Sequence, residues 1–115
     1  MKQFTRVMKA LSDPNRVRVL KLLQRENLCV CNIQEFLKLA QSTVSRHMKT
    51  LEDAGLVEHE RQGTWIIYRL TDNQESVYGA AMLAHLENWL EDDKELEQMR
   101  LKRDQVIENT KLCIT

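Results

Sequence analysis

Gln41-Ser42-Thr43-Val44-Ser45-Arg46-His47-Met48-Lys49-Thr50-Leu51-Glu52-Asp53-Ala54-Gly55-Leu56 is the stretch on which the fold turns. Val44, Met48 and Leu51 recur at i, i+4 and i+7, the spacing of one apolar helix face. Gln41, Ser42, Thr43, Ser45, Arg46, His47, Lys49 and Thr50 fall on the remaining faces and supply hydrogen-bond donors. Small polar residues and an Arg in the first turns suit insertion into a DNA major groove, where a recognition helix meets base edges and phosphates. A solvated surface helix accounts for the same face equally well. Gly55 can take the left-handed conformation that closes a helix, so the helix is expected to stop near Ala54 with Leu56 folded back onto Leu51. Its start is expected at a Ser42 cap or one or two residues earlier.

The following segment decides between the two readings. Val57-Glu58-His59-Glu60-Arg61 and Thr64-Trp65-Ile66-Ile67-Tyr68-Arg69-Leu70 are β-prone runs around a Gln62-Gly63 turn signal, which predicts a hairpin. A hairpin directly behind a recognition helix is the wing of a winged helix-turn-helix, with Arg61 and Gln62 at its tip free to reach DNA backbone or minor groove. Trp65 and Tyr68 alternate with Ile66 and Ile67, so both are expected to pack the hairpin onto the helices rather than stack on bases.

Upstream, Phe4, Val7, Met8 and Leu11 predict a first amphipathic helix. Asp13 caps a second with Pro14 in its first position, and Val17, Leu20 and Leu23 carry that helix to about Arg25. Cys29-Val30-Cys31-Asn32 leads into a third helix on Ile33, Phe36 and Leu37, and Leu39-Ala40-Gln41 turns into the recognition helix, completing a helix-turn-helix pair. Downstream, Thr71-Asp72-Asn73 is expected to cap a long helix from Glu75 to about Asp92. Its apolar arc is too broad for one small domain to bury, which predicts burial against a second copy. From Asp93 to Thr110 the chain is charged and helix-prone, a further dimer helix or a frayed tail. The fold class expected is therefore mainly α with a small β-hairpin. Residues 1–92 form the winged helix-turn-helix DNA-binding and dimerisation domain, and 93–115 a C-terminal helical extension or tail.

A chain of 115 residues with 43% apolar residues fills one modest core, too little for an enzyme-sized cleft. No nucleophile with its base, carboxylate pair or phosphate-binding loop stands out, so an enzyme is not expected. Met1 to Arg6 lacks an apolar signal segment, and the nearly uncharged stretch 76–86 is too short to span a bilayer. A soluble, cytoplasmic protein with no membrane partner is expected. The net charge of zero hides a division: 12 Lys and Arg against 7 Asp and Glu up to Thr71, then 5 against 10 from Asp72 onward. A basic half carrying the winged helix fits a DNA-binding face. Three cysteines in such a protein are not expected to form structural disulfides.

Leu11-Ser12-Asp13-Pro14-Asn15-Arg16-Val17-Arg18-Val19-Leu20, Leu28-Cys29-Val30-Cys31, Ser42-Thr43-Val44-Ser45-Arg46-His47 and Gln62-Gly63-Thr64-Trp65 with Tyr68-Arg69-Leu70 together resemble the ArsR/SmtB family of bacterial metal-responsive repressors. The resemblance runs in order from about Phe4 to Leu70. It implies a homodimer joined through first and last helices, bound to double-stranded operator DNA and released by an inducer, with no permanently bound cofactor. The Cys-Val-Cys pair resembles the arsenite and antimonite site of the arsenical-resistance repressors, which implies Cys29 and Cys31 as ligands of As(III) or Sb(III). These thiophilic ions suit thiolates, and helix N-termini favour the thiolate form. Residues at i and i+2 point apart on a regular helix, so gripping one ion with both distorts the first turn.

Where some relatives carry a third Cys this chain has Gln34, so the third ligand is Cys113, a small cellular thiol, or nothing. Asn27 and Asn32 also replace acidic residues common in the family motif. His85 is the only His after the wing, too few for the family's zinc site on the last helix. The alternatives are a repressor of the same fold sensing thiol oxidants or persulfide, and a winged-helix protein-interaction module.

Overall fold

The computed structural model describes residues 1–72 and 76–110. Two short helices, α1 (Lys2–Ala10) and α2 (Pro14–Leu23), open the chain. The junction is as expected: Asp13 Oδ1 accepts the N–H of Asn15 at 2.8 Å and of Arg16 at 3.1 Å, and Pro14 stands where a helix has no use for an N–H.

The strand β1 (Leu28–Cys29) and helix α3 (Val30–Leu37) come next, and Lys38 takes a left-handed conformation, φ 57°, to close α3. The recognition helix α4 (Gln41–Asp53) starts from Ala40 with no side-chain cap, so Ser42 lies inside the helix. Its end follows the expected geometry. Gly55 has φ 76°, its N–H reaches Glu52 O at 2.9 Å, and Leu56 N–H reaches back to Leu51 O at 3.0 Å. Both orphan carbonyls are thereby satisfied by the paired C-terminal motif of a glycine-stopped helix.

The hairpin comprises β2 (Val57–Gln62) and β3 (Trp65–Leu70), with Gln62 opposite Trp65 across a Gly63-Thr64 turn. That turn sits one residue later than the sequence signal, and Gly63 supplies its positive φ of 64°. The sheet has three strands, ordered β1-β3-β2, because Leu28 and Cys29 pair antiparallel with Tyr68 and Ile67. Two residues are too few to show the period of a strand, so β1 has no sequence signature.

After the sheet, α5 (Val77–Leu86) is capped by Ser76, whose Oγ accepts the Gly79 N–H at 3.3 Å. Of the expected cap Thr71-Asp72-Asn73, Asn73 lies outside the described residues, as does the expected helix start Glu75; the cap observed is Ser76. The helix is shorter than the sequence predicts, and the reason is visible at its end. Lys21, only 1% exposed on α2, donates its Nζ to Leu86 O and pairs with Glu91 at 3.3 Å. Leu90, with φ 62°, then reverses the chain. A cation on the last carbonyl satisfies the terminus and complements its dipole.

Helices α6 (Lys94–Leu101) and α7 (Arg103–Asn109) turn back over the domain, α6 against α2 and α7 against α3. This segment is neither a frayed tail nor detached. Leu96, Met99 and Val106 are buried in the same core as Val19, Leu20, Ile33, Phe36, Val44, Met48 and Leu51. Arg18 to Asp93 at 2.9 Å and Arg103 to Glu26 at 2.8 Å pin it at two further points. Among the described residues no helix is long and apolar enough to cross a membrane.

Candidate nucleic-acid interface and cysteine site

Val44, Met48 and Leu51 are fully buried, which fixes the rotation of α4 and so decides what it shows to solvent. Gln41, Ser42, Ser45, Arg46 and Lys49 are exposed, whereas Thr43, His47 and Thr50 are half-buried. Lys49 Nζ lies 3.1 Å from Asp53 Oδ1, one turn on. Thr50 Oγ1 donates to Arg46 O at 3.0 Å, so its hydroxyl is spent within the helix. His47 turns inward, its Nδ1 3.2 Å from Arg16 Nη1. Burial pulls the His47 ring below its usual pKa, with the Arg16 and Arg46 charges adding to the shift against the opposing pull of Asp13. A neutral ring that braces α2 against α4 is what this arrangement gives.

Arg61 and Gln62 are exposed at the end of β2, beside the turn. Arg69 is occupied elsewhere, its guanidinium bonded to Glu58 at 2.8 Å and Glu60 at 2.9 Å. Tyr68 is buried in the core, as expected for a packing residue, and burial raises its hydroxyl pKa. The structure thus brings Gln41, Ser42, Ser45, Arg46 and Lys49 onto one helix face, with Arg61 and Gln62 on the adjoining hairpin.

The cysteine pair begins α3. Cys29 is its N-cap, buried, and Cys31 is half-buried; neither forms a disulfide among the described residues. A capping box closes this end: Asn32 Oδ1 accepts the Cys29 N–H at 2.9 Å, and the Cys29 side chain faces the Asn32 backbone N–H. Both cysteines line one cavity of about 170 Å³, together with Gln34, Gln41, Thr64, Trp65 and Ile66. Gln41 is the first residue of α4 and Trp65 the first of β3, so the cavity touches both halves of the DNA-facing unit. Trp65 therefore does more than pack the hairpin; a strand signal says nothing about which cavity a side chain borders. Among the described residues no group of three or more His, Cys, Asp and Glu is arranged to hold a metal ion. Cys113 lies outside the described residues. Asn32 also donates Nδ2–H to Thr110 Oγ1 at 2.7 Å, a contact between residues far apart in the chain that no local pattern reveals.

Residues 13–59 match the family model described as bacterial regulatory protein, arsR family. An uncharacterized HTH-type transcriptional regulator of Methanocaldococcus jannaschii is 41% identical over 69 residues, covering 59% of this chain and 78% of its own length. The arsenical resistance operon repressor of Bacillus subtilis is 37% identical over 75 residues, covering 64% of this chain and 71% of that repressor. Among solved structures, a homodimeric winged helix-turn-helix DNA-binding domain from Mycobacterium bovis superposes with a TM-score of 0.63 at 30% identity, covering 75% of this chain and 76% of that one. These relatives are transcriptional regulators rather than enzymes. The chain belongs to the arsR family of bacterial regulatory proteins, with the winged helix-turn-helix fold of a DNA-binding transcriptional regulator.

Proposed function

We propose that this protein is a cytoplasmic, homodimeric transcriptional repressor that leaves its operator when trivalent arsenic or antimony binds Cys29 and Cys31. The observation that carries the reading is the shared cavity: both cysteines, Gln41 of the recognition helix and Trp65 of the hairpin line the same space. An ion held by two thiolates there pulls on the first turn of α3. It also pulls on β3 through the Cys29–Ile67 pairing, and it borders the start of α4. The third position on the ion is taken by Cys113, which follows Thr110 by three residues in the sequence, by a small cellular thiol, or by no further thiol at all, the ion then keeping a hydroxyl. Thr110 is itself bonded to Asn32 at the start of α3.

The last helix, α7, lies on α3 of its own chain, so the expected pairing of two copies through first and last helices keeps α1 and takes α5 in place of the last helix; the outer faces of α1 and α5 support it. Phe4 and Tyr78 meet edge to face at 5.2 Å and both remain about 41% exposed, and Val77 is 73% exposed. Recognition helices of a dimer must match successive major grooves, so tilting α4 weakens binding steeply. The exposed donors Gln41, Ser42, Ser45, Arg46 and Lys49 read the groove, with Arg61 and Gln62 on the flanking backbone; half-buried Thr43, His47 and Thr50 border that face.

The test is fluorescence anisotropy of a labelled promoter fragment, titrated with protein with and without arsenite, on wild type, Cys29→Ser and Cys31→Ser. Arsenite is expected to weaken binding of the wild type alone. Equal affinity with and without arsenite overturns the arsenic reading, and release by a persulfide or oxidant in its place makes the pair a redox sensor.

A further inference from the structure

Asn32 is the third residue of α3 and uses both ends of its amide. Its Oδ1 accepts the Cys29 N–H at 2.9 Å, and its Nδ2 donates to Thr110 Oγ1 at 2.7 Å. The orientation of the amide is forced, since a backbone N–H can only donate. Thr110 is buried, 7% exposed, and its hydroxyl passes its own hydrogen to Val106 O at 2.8 Å. The end of α7 is thus joined to the N-cap of α3 by an unbroken run of hydrogen bonds. A carboxylate at this position accepts the Cys29 N–H equally well but has no hydrogen for Thr110.

We infer that Asn32 is a positioning residue that couples occupation of the cysteine pair to the docking of α7 on α3. The inference rests on the reading of Cys29 and Cys31 as the inducer site. The Cys29 sulfur faces the Asn32 backbone N–H in the capping box, while the Asn32 side chain holds the Cys29 backbone N–H. Arsenous acid binding two thiols exchanges two hydroxyls for two sulfurs and releases two waters, each thiol proton leaving on a hydroxyl; no electrons are transferred. A Cys29 sulfur committed to an ion shared with Cys31 abandons the Asn32 backbone N–H. The box opens, the Cys29 N–H turns, and a rigid planar amide cannot follow it while still reaching Thr110. Empty, the site is locked by α7; filled, it lets α7 loosen. Such coupling is reciprocal, so loosening α7 must tighten arsenite binding by the same factor.

Hydrogen exchange on the full-length protein, with arsenite as the probe, tests the first half. Amides of residues 103–110 are expected to exchange faster when arsenite is present. Thr110→Val tests the second half, because it removes the acceptor at nearly constant volume and charge. Arsenite affinity, read from the near-ultraviolet thiolate-to-arsenic absorption, is expected to rise about two- to tenfold in Thr110→Val, the worth of one net hydrogen bond, and to return in Thr110→Ser. A purely structural role for Thr110 leaves that affinity unchanged or lowers it. Wild-type protein that gains the absorption while residues 103–110 keep their exchange rates overturns the coupling and leaves the cysteine reading standing. That arm needs no variant to fold. Absence of any absorption difference between wild type and Cys29→Ser overturns the cysteine reading and the coupling with it.

Discussion

Arg18 on α2 and Asp93 at the start of α6 meet at 2.9 Å although 75 residues separate them in the chain. Asp93 serves two partners, because the same Oδ2 accepts the Leu96 N–H at 2.9 Å and caps α6. The carboxylate therefore fixes where α6 begins and which helix it lies on. Replacing Asp93 by Ala removes cap and ion pair together and is expected to lower stability by about 1–2 kcal/mol. Asp93→Asn keeps a capping oxygen and should lose about half of that. Urea unfolding of the three proteins, compared at equal slope, measures both differences.

Acid should loosen this segment before it loosens the wing. A hydrogen bond from the Arg18 guanidinium holds Asp93 below the usual carboxylate range, Arg103 does the same for Glu26, and Arg100 with Lys21 for Glu91. A carboxylate with a depressed folded pKa contributes stability that is present above its unfolded pKa and disappears as pH falls through the folded one. The Arg18–Asp93, Arg103–Glu26 and Lys21–Glu91 pairs join residues 91–104 to α2 and the loop after it, while Arg100–Glu91 lies within the segment. Amide exchange across α6 and α7 is expected to rise below about pH 4 while that of β2 and β3 changes less. Uniform exchange across both regions contradicts the assignment. Salt should bring the same change on at higher pH, since these pairs are partly exposed.

The DNA-facing unit was legible because each of its signals is local. Val44, Met48 and Leu51 set the face of α4, Gly55 stops it, and the hairpin follows at once. The C-terminal third was not. Its path depends on Lys21 meeting Leu86 O, Arg18 meeting Asp93 and Asn32 meeting Thr110, all contacts between distant parts of the chain. Apolar periodicity ran on past Leu86 because Leu90 and Trp89 look helical in sequence, while tertiary contact stopped the helix. The pairing of Cys29 with β3 rests on a strand two residues long, too short to leave a period in the sequence.

Gly55→Ala isolates the conformational cost of the α4 stop. A Cβ at Gly55 meets nothing within 4 Å, so no clash contributes. Only the left-handed backbone, φ 76°, is penalised, by about 1 kcal/mol. Thermal unfolding should show a lowered midpoint with an unchanged circular dichroism spectrum at low temperature. A loss of several kcal/mol would mean that the turn itself rearranges.

Charge on the two halves of the interface should be separable from charge that is already committed. Arg61→Ala removes an exposed cation at the hairpin tip and is expected to weaken binding to specific and unrelated duplexes alike, whereas Arg46→Ala, on the face that reads the groove, is expected to weaken binding to the specific duplex more. The slope of log affinity against log salt should fall by about one for each phosphate that no longer meets a cation. Arg69→Ala is the contrasting case. Its guanidinium is bonded to both Glu58 and Glu60, so its removal should leave the salt slope within error of wild type. A slope change for Arg69 equal to that for Arg61 would show that the hairpin meets DNA along its strand and not at its tip.

Trp65 gives a direct optical report on the cavity beside Cys29 and Cys31. The second tryptophan, Trp89, stacks on His85 at 4.7 Å with planes 8° apart, on the exposed turn after α5. It would blur the signal. Trp89→Phe removes it at a half-exposed position, where little packing is lost. In that background arsenite is expected to change the Trp65 emission with a stoichiometry of one ion per chain, and antimonite to do the same. A heavy, polarisable ion beside the indole quenches it, and movement of β3 through the Cys29–Ile67 pairing alters its exposure to solvent. Cys31→Ser should abolish the response. Because the cavity also touches Gln41, the emission change and the loss of DNA affinity should follow one arsenite titration curve. Two separated curves would place the event that releases DNA outside this cavity.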